Sequence, residues 1–346
     1  MLLFHNDYNE LCHPAVLEKM QAVQSMQLAG YGEDEISGHV ADLIRQCCNA
    51  PSAAVHFLSG GTQTNLTVIA AALRPHQAVI AAESGHINVH ETGSIEATGH
   101  KVIPLSSADG KITADQILET VTEHWNDSSH EHLAQPKLVY ISHPTELGTT
   151  YTHAELQAIH DACLEKGLFL FVDGARLGYA LAAADNDISL EDLAKLTDAF
   201  YIGGTKVGAM FGEAVVISNP YIAEDFRYII KQRGGMLAKG WALGLQFEAL
   251  FENDLYTKIG AHANALADQV RAALEEAGYP LAVPGSTNQI FAVIPNNVLE
   301  EIGKEFSYSY WGKADPEHSI VRFCTSWASK PEHVASLCSK IKNSKK

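Results

Sequence analysis

The sequence predicts an α/β protein, a mostly parallel sheet lying between helices, followed by a smaller C-terminal α/β domain. Three observations predict it. Short runs that are apolar at nearly every position, such as Lys137-Leu138-Val139-Tyr140-Ile141-Ser142 and Leu168-Phe169-Leu170-Phe171-Val172, suit strands covered on both faces. Helical stretches alternate with these runs as far as about residue 220. Beyond that, the pattern changes to long helices, then strands, then a last helix. The expected division is a large domain over 15–250 and a small one over 251–346, with 1–14 packing near the small one.

In order, residues 14–29 read as a helix, with Pro14 near the start and Gly30 past the end. Tyr31 to Asp34 is a polar turn, and 37–49 a helix with Ser37 as N-cap. The strand Val55-His56-Phe57-Leu58 runs into Ser59-Gly60-Gly61-Thr62-Gln63-Thr64-Asn65, and a helix follows over 66–73. Next come strand 78–81, helix 88–98, strand 101–104, and helix 113–124 capped by Thr113. His124 to His132 is polar and irregular, and reads as a loop. Strand 137–142 precedes the helix Thr152 to Lys166, where Thr152 and Glu155 have capping-box spacing and Gly167 stops the helix. Strand 168–172, helix 189–196, and strands 199–202 and 213–217 complete the first part. The second part reads as helices 241–255 and 259–277, strands 281–283, 289–294, 307–311 and 320–324, and helix 331–341. The lysine-rich tail, Lys340 to Lys346, reads as a frayed end.

A net charge of -17, from 41 acidic and 24 basic residues, argues against nucleic acid or an anionic membrane as partner. No stretch has the length and apolarity of a membrane span. The N-terminus has no basic region and turns polar at Asn6-Asp7, so no secretory signal is expected and the location reads as cytoplasmic. The six cysteines lack CxxC spacing, and HExxH does not occur, so neither a disulfide framework nor a metal site is expected.

Three stretches carry chemistry. Ser59 to Asn65 lies between a strand and a helix. Its glycines let backbone approach a ligand, and a helix N-terminus plus the Thr62 hydroxyl makes a phosphate cradle at Gly60, Gly61 and Thr62. The stretch is neither GxGxxG nor GxxxxGK[ST], which argues against a nicotinamide oxidoreductase and a triphosphate site. Asp173 ends an apolar strand, where open α/β sheets bind ligands, and a carboxylate there can keep a pyridine nitrogen protonated. Arg176 follows, in reach of a cofactor oxygen or a substrate carboxylate, or paired with Asp173 across the loop. Lys206, after Gly203-Gly204-Thr205, has small neighbours that leave room for a bulky group on its amine, and the Thr205 hydroxyl suits a phosphate. Together these point to an aldehyde cofactor held covalently on Lys206. His86 follows another strand and suits stacking on a flat cofactor or base work. Arg322, inside the apolar strand Ile320-Val321-Arg322-Phe323, suits a bidentate carboxylate. Lys231 and Arg233 sit in a basic, glycine-containing segment suited to phosphate contact, including contact across a subunit boundary.

Ser59 to Leu66, Phe171-Val172-Asp173-Gly174-Ala175-Arg176-Leu177 and Thr205-Lys206, in this order and spacing, resemble the low-specificity L-threonine aldolases of the β-eliminating lyase group. These are pyridoxal 5'-phosphate enzymes of fold type I. The resemblance covers nearly the whole chain. It implies a seven-stranded sheet, Lys206 as the Schiff-base lysine, Asp173 at the pyridine nitrogen, His86 over the ring, and Gly61 and Thr62 at the phosphate. It implies Arg176 and Arg322 near the cofactor oxygen and substrate carboxylate, and a homotetramer built as a dimer of dimers, with Tyr31 reaching a neighbour's site. Two departures stand out. Asn6, in His5-Asn6-Asp7-Tyr8, replaces a serine that helps hold the substrate carboxylate. Glu146, in Thr145-Glu146-Leu147-Gly148, replaces a histidine near the substrate hydroxyl. The implied activity is retro-aldol cleavage of a small β-hydroxy-α-amino acid to glycine and an aldehyde, with His86, Glu146, His90 or an ordered water as the base. The alternative is another lyase or transferase using the same cofactor.

Overall fold

The structure is a computed structural model that describes residues 1–344. Among these, the main sheet has seven strands in the order Ala54–Leu58, Glu213–Ile217, Ala199–Gly203, Phe169–Asp173, Gln135–Ser142, Gln77–Ala82 and Lys101–Leu105. The last five run parallel. Glu213–Ile217 runs antiparallel to both its neighbours. The reason is chain length, because the segment 204–212 is shorter than the dozen or more residues that a parallel crossover needs. That tight connection carries Lys206.

Successive side chains of each central strand go to opposite faces. Ile80, Val139, Ile141, Leu170, Val172, Phe200 and Ile202 enter one core. Val79, Ala81, Leu138, Tyr140, Phe171, Ala199 and Tyr201 enter the other. Both faces are covered by helices, which explains why the strands read as unbroken apolar runs. A second sheet, in the order Ser309–Lys313, His318–Cys324, Gln289–Pro295, Leu281–Val283, is antiparallel. It shares a separate core with the helices Leu255–Ala277 and Pro331–Asn343. The N-terminus joins this core: Leu2–Leu3 pairs with Phe306–Ser307 and Phe4 is buried. The helix Leu255–Ala277 links the two parts, with Ile259 and Ala263 in one core and Leu266 to Ala277 in the other.

Several elements depart from expectation. The first helix is Pro14–Ala22 rather than 14–29. Gln24 to Gln27 are exposed and offer no face to pack, and an unpacked helix end is marginal in water. The next helix is Glu35–Cys47, capped by Asp34 rather than Ser37, whose N–H and hydroxyl instead donate to the Asp34 carboxylate at 2.8 Å each. No single helix spans 88–98. Thr92 and Gly93 take φ of 54° and 72°, leaving short turns at His86–Val89 and Glu96–Thr98. His124 is no loop residue but lies in the last turn of Ala114–Asn126. The stretch 307–311 splits between two sheets. Helices Leu177–Leu181, Phe226–Gln232 and Asn296–Gly303 are additional. The C-terminal helix continues to Asn343, held by Lys340 to Glu305 at 2.7 Å and Lys342 to Glu276 at 2.5 Å, rather than fraying from Lys340. Lys345 and Lys346 lie outside the described residues. No described helix is long and apolar enough to cross a membrane.

Candidate active site

The parallel strands end at a cavity of about 760 Å³, the size of a cofactor-plus-substrate site. Gly60, Gly61, Thr62, His86, Glu146, Asp173, Arg176, Thr205, Lys206 and Arg322 all line it. Residues from five distant stretches and the C-terminal sheet thus meet in one place.

Lys206 sits where the chain leaves strand Ala199–Gly203. A Cβ on Gly203 would lie 2.3 Å from the Ala175 carbonyl oxygen, so glycine is what lets this strand pass the Asp173 loop. The loop is pinned by Glu213, which accepts from the Gly204 N–H and the Thr205 hydroxyl at 2.9 Å each. Burial pushes the Glu213 carboxyl up to about 8, against those two hydrogen bonds and the Lys206 charge. Thr205 therefore departs from expectation. Its hydroxyl donates to Glu213 and accepts from the Gly212 N–H at 3.0 Å, so it braces the lysine loop rather than pointing free at a phosphate.

Asp173 is buried and accepts four hydrogen bonds, from the Tyr140 and Tyr201 hydroxyls at 2.5 Å each, the Ala175 N–H at 2.9 Å and the Asn65 amide at 3.0 Å. Burial alone would raise its pKa. The positive His86 and the hydrogen bonds from Tyr140, Tyr201 and Ala175 outweigh it and hold Asp173 below the usual carboxylate range. An ionised carboxylate here can stabilise a cationic ring nitrogen.

The helix Gly61–Ala72 starts at Gly60 with no side-chain cap, leaving its first amides for a ligand. His86 Nδ1 is 2.7 Å from Glu91 Oε1. Burial lowers the His86 pKa, but the hydrogen bond to Glu91 and the charges of Glu146 and Asp173 overcome it, and the net shift is upward. Burial carries His90, also on the wall, the other way.

Arg176 does not pair with Asp173. Its Nε and Nη2 donate to the two oxygens of Asp7, at 2.7 and 3.0 Å, and Glu146 lies 3.8 Å from its Nη1. Arg322 donates to Gln289 Oε1 and the His5 carbonyl at 3.0 Å each, and its guanidinium lies 5.1 Å from the Trp311 ring centre. Among the N-terminal residues, Tyr8 rather than Asn6 lines the cavity, and Asn6 Oδ1 accepts from the Tyr8 N–H at 3.1 Å. Tyr31 and Arg233 also lie off this cavity. Tyr31, 45% exposed, carries Lys231 Nζ 4.7 Å above its ring, and the Arg233 carbonyl accepts from Gln63 Nε2 at 3.4 Å.

A family model for beta-eliminating lyases matches residues 11–297. The chain belongs to that family. A low specificity L-threonine aldolase from a Pseudomonas species is 29% identical to this lyase over 343 residues, covering 97% of this chain and 96% of the other. A solved Leishmania major threonine aldolase is 45% identical, with a TM-score of 0.97 and 100% of both chains covered. Thermus thermophilus aspartate aminotransferase shares the fold, with a TM-score of 0.74 at 13% identity over 99% of this chain and 91% of that one. The lyase thus has the fold type I architecture. Sequence reasoning passed over Asp7, Tyr140, Tyr201, Glu91 and Glu213 as site residues. Tyr140 and Tyr201 read as strand apolars, and the signal they carried was a hydroxyl in a fully buried run, which requires a partner.

Proposed function

We propose that this lyase cleaves L-threonine and L-allo-threonine to glycine and acetaldehyde, using pyridoxal phosphate held on Lys206. The observation that carries the reading is the meeting, in one cavity, of a lysine, an ionised buried aspartate and an uncapped helix N-terminus. These fit the three chemical handles of the cofactor: an aldehyde carbon, a ring nitrogen and a phosphate. When bound, the cofactor supplies an electron sink for the pair released at Cα.

The chain's own groups supply the rest. Lys206 would hold the cofactor's aldehyde carbon, Asp173 its ring nitrogen, His86 its ring, and Gly61 and Thr62 its phosphate. Arg322, fixed on its edge by Gln289 and on its face by Trp311, grips the substrate carboxylate. Arg176, anchored by Asp7, would meet the cofactor oxygen. Such a grip would select which bond at Cα breaks, and so would separate retro-aldol cleavage from elimination or transamination at the same site. The β-hydroxyl proton needs an acceptor. His90 stands on the cavity wall, and burial lowers its pKa, which favours a free ring nitrogen there, so His90 is the acceptor we favour.

The chain works as a large unit, 15–250, and a small one, 251–346, with 1–14 on the latter. It assembles as a homotetramer made of two dimers. Tyr31 and Arg233 then serve a neighbouring copy's site, which fits their place off this chain's cavity. Six unpaired cysteines fit a cytoplasmic location. The test supplies purified protein with pyridoxal phosphate and either diastereomer of threonine, following aldehyde and glycine together. Equal yields are expected. Ammonia and a keto acid in their place would refute the cleavage reading.

A further inference from the structure

Behind the cavity, five side chains form one hydrogen-bonded unit, three of which the proposed reaction does not use. His86 Nδ1 is 2.7 Å from Glu91 Oε1. Asn65 Nδ2 donates to that same oxygen at 2.7 Å and to Asp173 Oδ2 at 3.0 Å. The Ser94 hydroxyl donates to the other Glu91 oxygen at 2.5 Å. The Glu91 side chain has 0% exposure.

A carboxylate buried this completely is strongly unfavourable unless a cation and hydrogen bonds meet it. His86 meets it at 2.7 Å with its pKa shifted upward, and Asn65 and Ser94 add the hydrogen bonds. Asn65 gives both hydrogens of one amide to two carboxylates, which fixes which way the amide points. Its own Oδ1 is left buried with no partner. An amide held at that cost is a spacer that keeps Glu91 and Asp173 at a set distance.

We propose that Glu91 is a positioning residue: it holds the proton on His86 Nδ1 and, through Asn65, ties the imidazole to Asp173, so that the histidine and the aspartate are set as one rigid unit. The inference rests on reading those two as the residues that meet the cofactor ring, but the arrangement itself is tested without that reading. Donation of Nδ1–H to Glu91 makes the neutral His86 the Nδ1–H tautomer, with Nε2 free. The charged groups acting on His86 are Glu91 by direct hydrogen bond, Glu146, Asp173 and Lys206, with the His90 ring 5.6 Å away. Glu91 is the acid among them that meets His86 by direct hydrogen bond.

The test is ¹⁵N NMR of histidine-labelled, full-length protein, first supplied with pyridoxal phosphate and then without it, with the His86 signals assigned by loss in H86F. The parent is expected to keep Nδ1 protonated above its titration midpoint, with a strongly downfield Hδ1. In E91Q, which keeps shape and loses charge, the midpoint falls, Hδ1 moves upfield, and kcat drops about tenfold to a hundredfold. E91D restores the midpoint in part. An Nε2–H tautomer in the parent overturns the proposal without any variant, as does a folded E91Q whose midpoint matches the parent. Should threonine cleavage fail while the tautomer result holds, the function is wrong and the unit stands.

Discussion

Replacing Asp7 by asparagine tests how the site holds Arg176. Asp7 is fully buried, and its carboxylate takes two hydrogen bonds from Arg176 and one from Asn288 at 2.9 Å. Burial raises its pKa, but the charges of Arg176 and Lys206 and these hydrogen bonds bring it down from 3.8 to about 2. A depression of that size corresponds to about 2–3 kcal/mol of stability. A depressed carboxylate contributes fully above its unfolded value and loses its contribution only as pH falls towards the folded one. The whole contribution is therefore present at both pH 7 and pH 5. D7N also leaves the Arg176 guanidinium buried, with only Glu146 nearby at 3.8 Å. Removing one partner of a buried pair costs about 3–5 kcal/mol, so a loss of about 3 kcal/mol is expected. Urea unfolding of parent and variant, followed by far-UV circular dichroism at pH 7 and pH 5, measures it. A loss under about 1 kcal/mol, or a gap that narrows between the two pH values, would refute the reasoning.

Three further outcomes are expected. K206A, folded by circular dichroism, loses the visible absorbance of bound cofactor and nearly all turnover, and normal turnover would sink the assignment of Lys206. E213Q stays neutral, whereas the parent's buried Glu213 resists ionising until about pH 8 and its unfolded counterpart ionises near 4.5. The parent therefore loses stability relative to E213Q as pH rises between those values, by up to about 1.4 kcal/mol per unit, and no further above pH 8; thermal melts from pH 5 to 9 that run in parallel contradict this. R322K loses the planar fork and its stacking on Trp311, so KM for threonine rises about tenfold or more while kcat moves less, and an unchanged KM removes Arg322 from the carboxylate site.

The sequence by itself determined what is local. Apolar runs of strand length, the capping box at Thr152 and Glu155, and the stop at Gly167 all fold as their residues require. Lys206, Asp173 and Gly60-Gly61-Thr62 were legible because each combines a reactive or anion-binding group with a strand end, a spacing visible along the chain. Tertiary structure alone decided what lies between distant segments. Asp7 and Arg176 are far apart in sequence, and only the packing of the N-terminus on the C-terminal sheet beside the strand ends brings them to 2.7 Å. The same holds for Glu91, Asn65 and Asp173, on three separate segments of the chain. Chain order carries no distance between such residues. Whether a threonine such as Thr205 is free or braced, and whether a carboxyl such as Glu213 keeps its proton, depends on neighbours and on exclusion of water, and both exist only once the chain has folded.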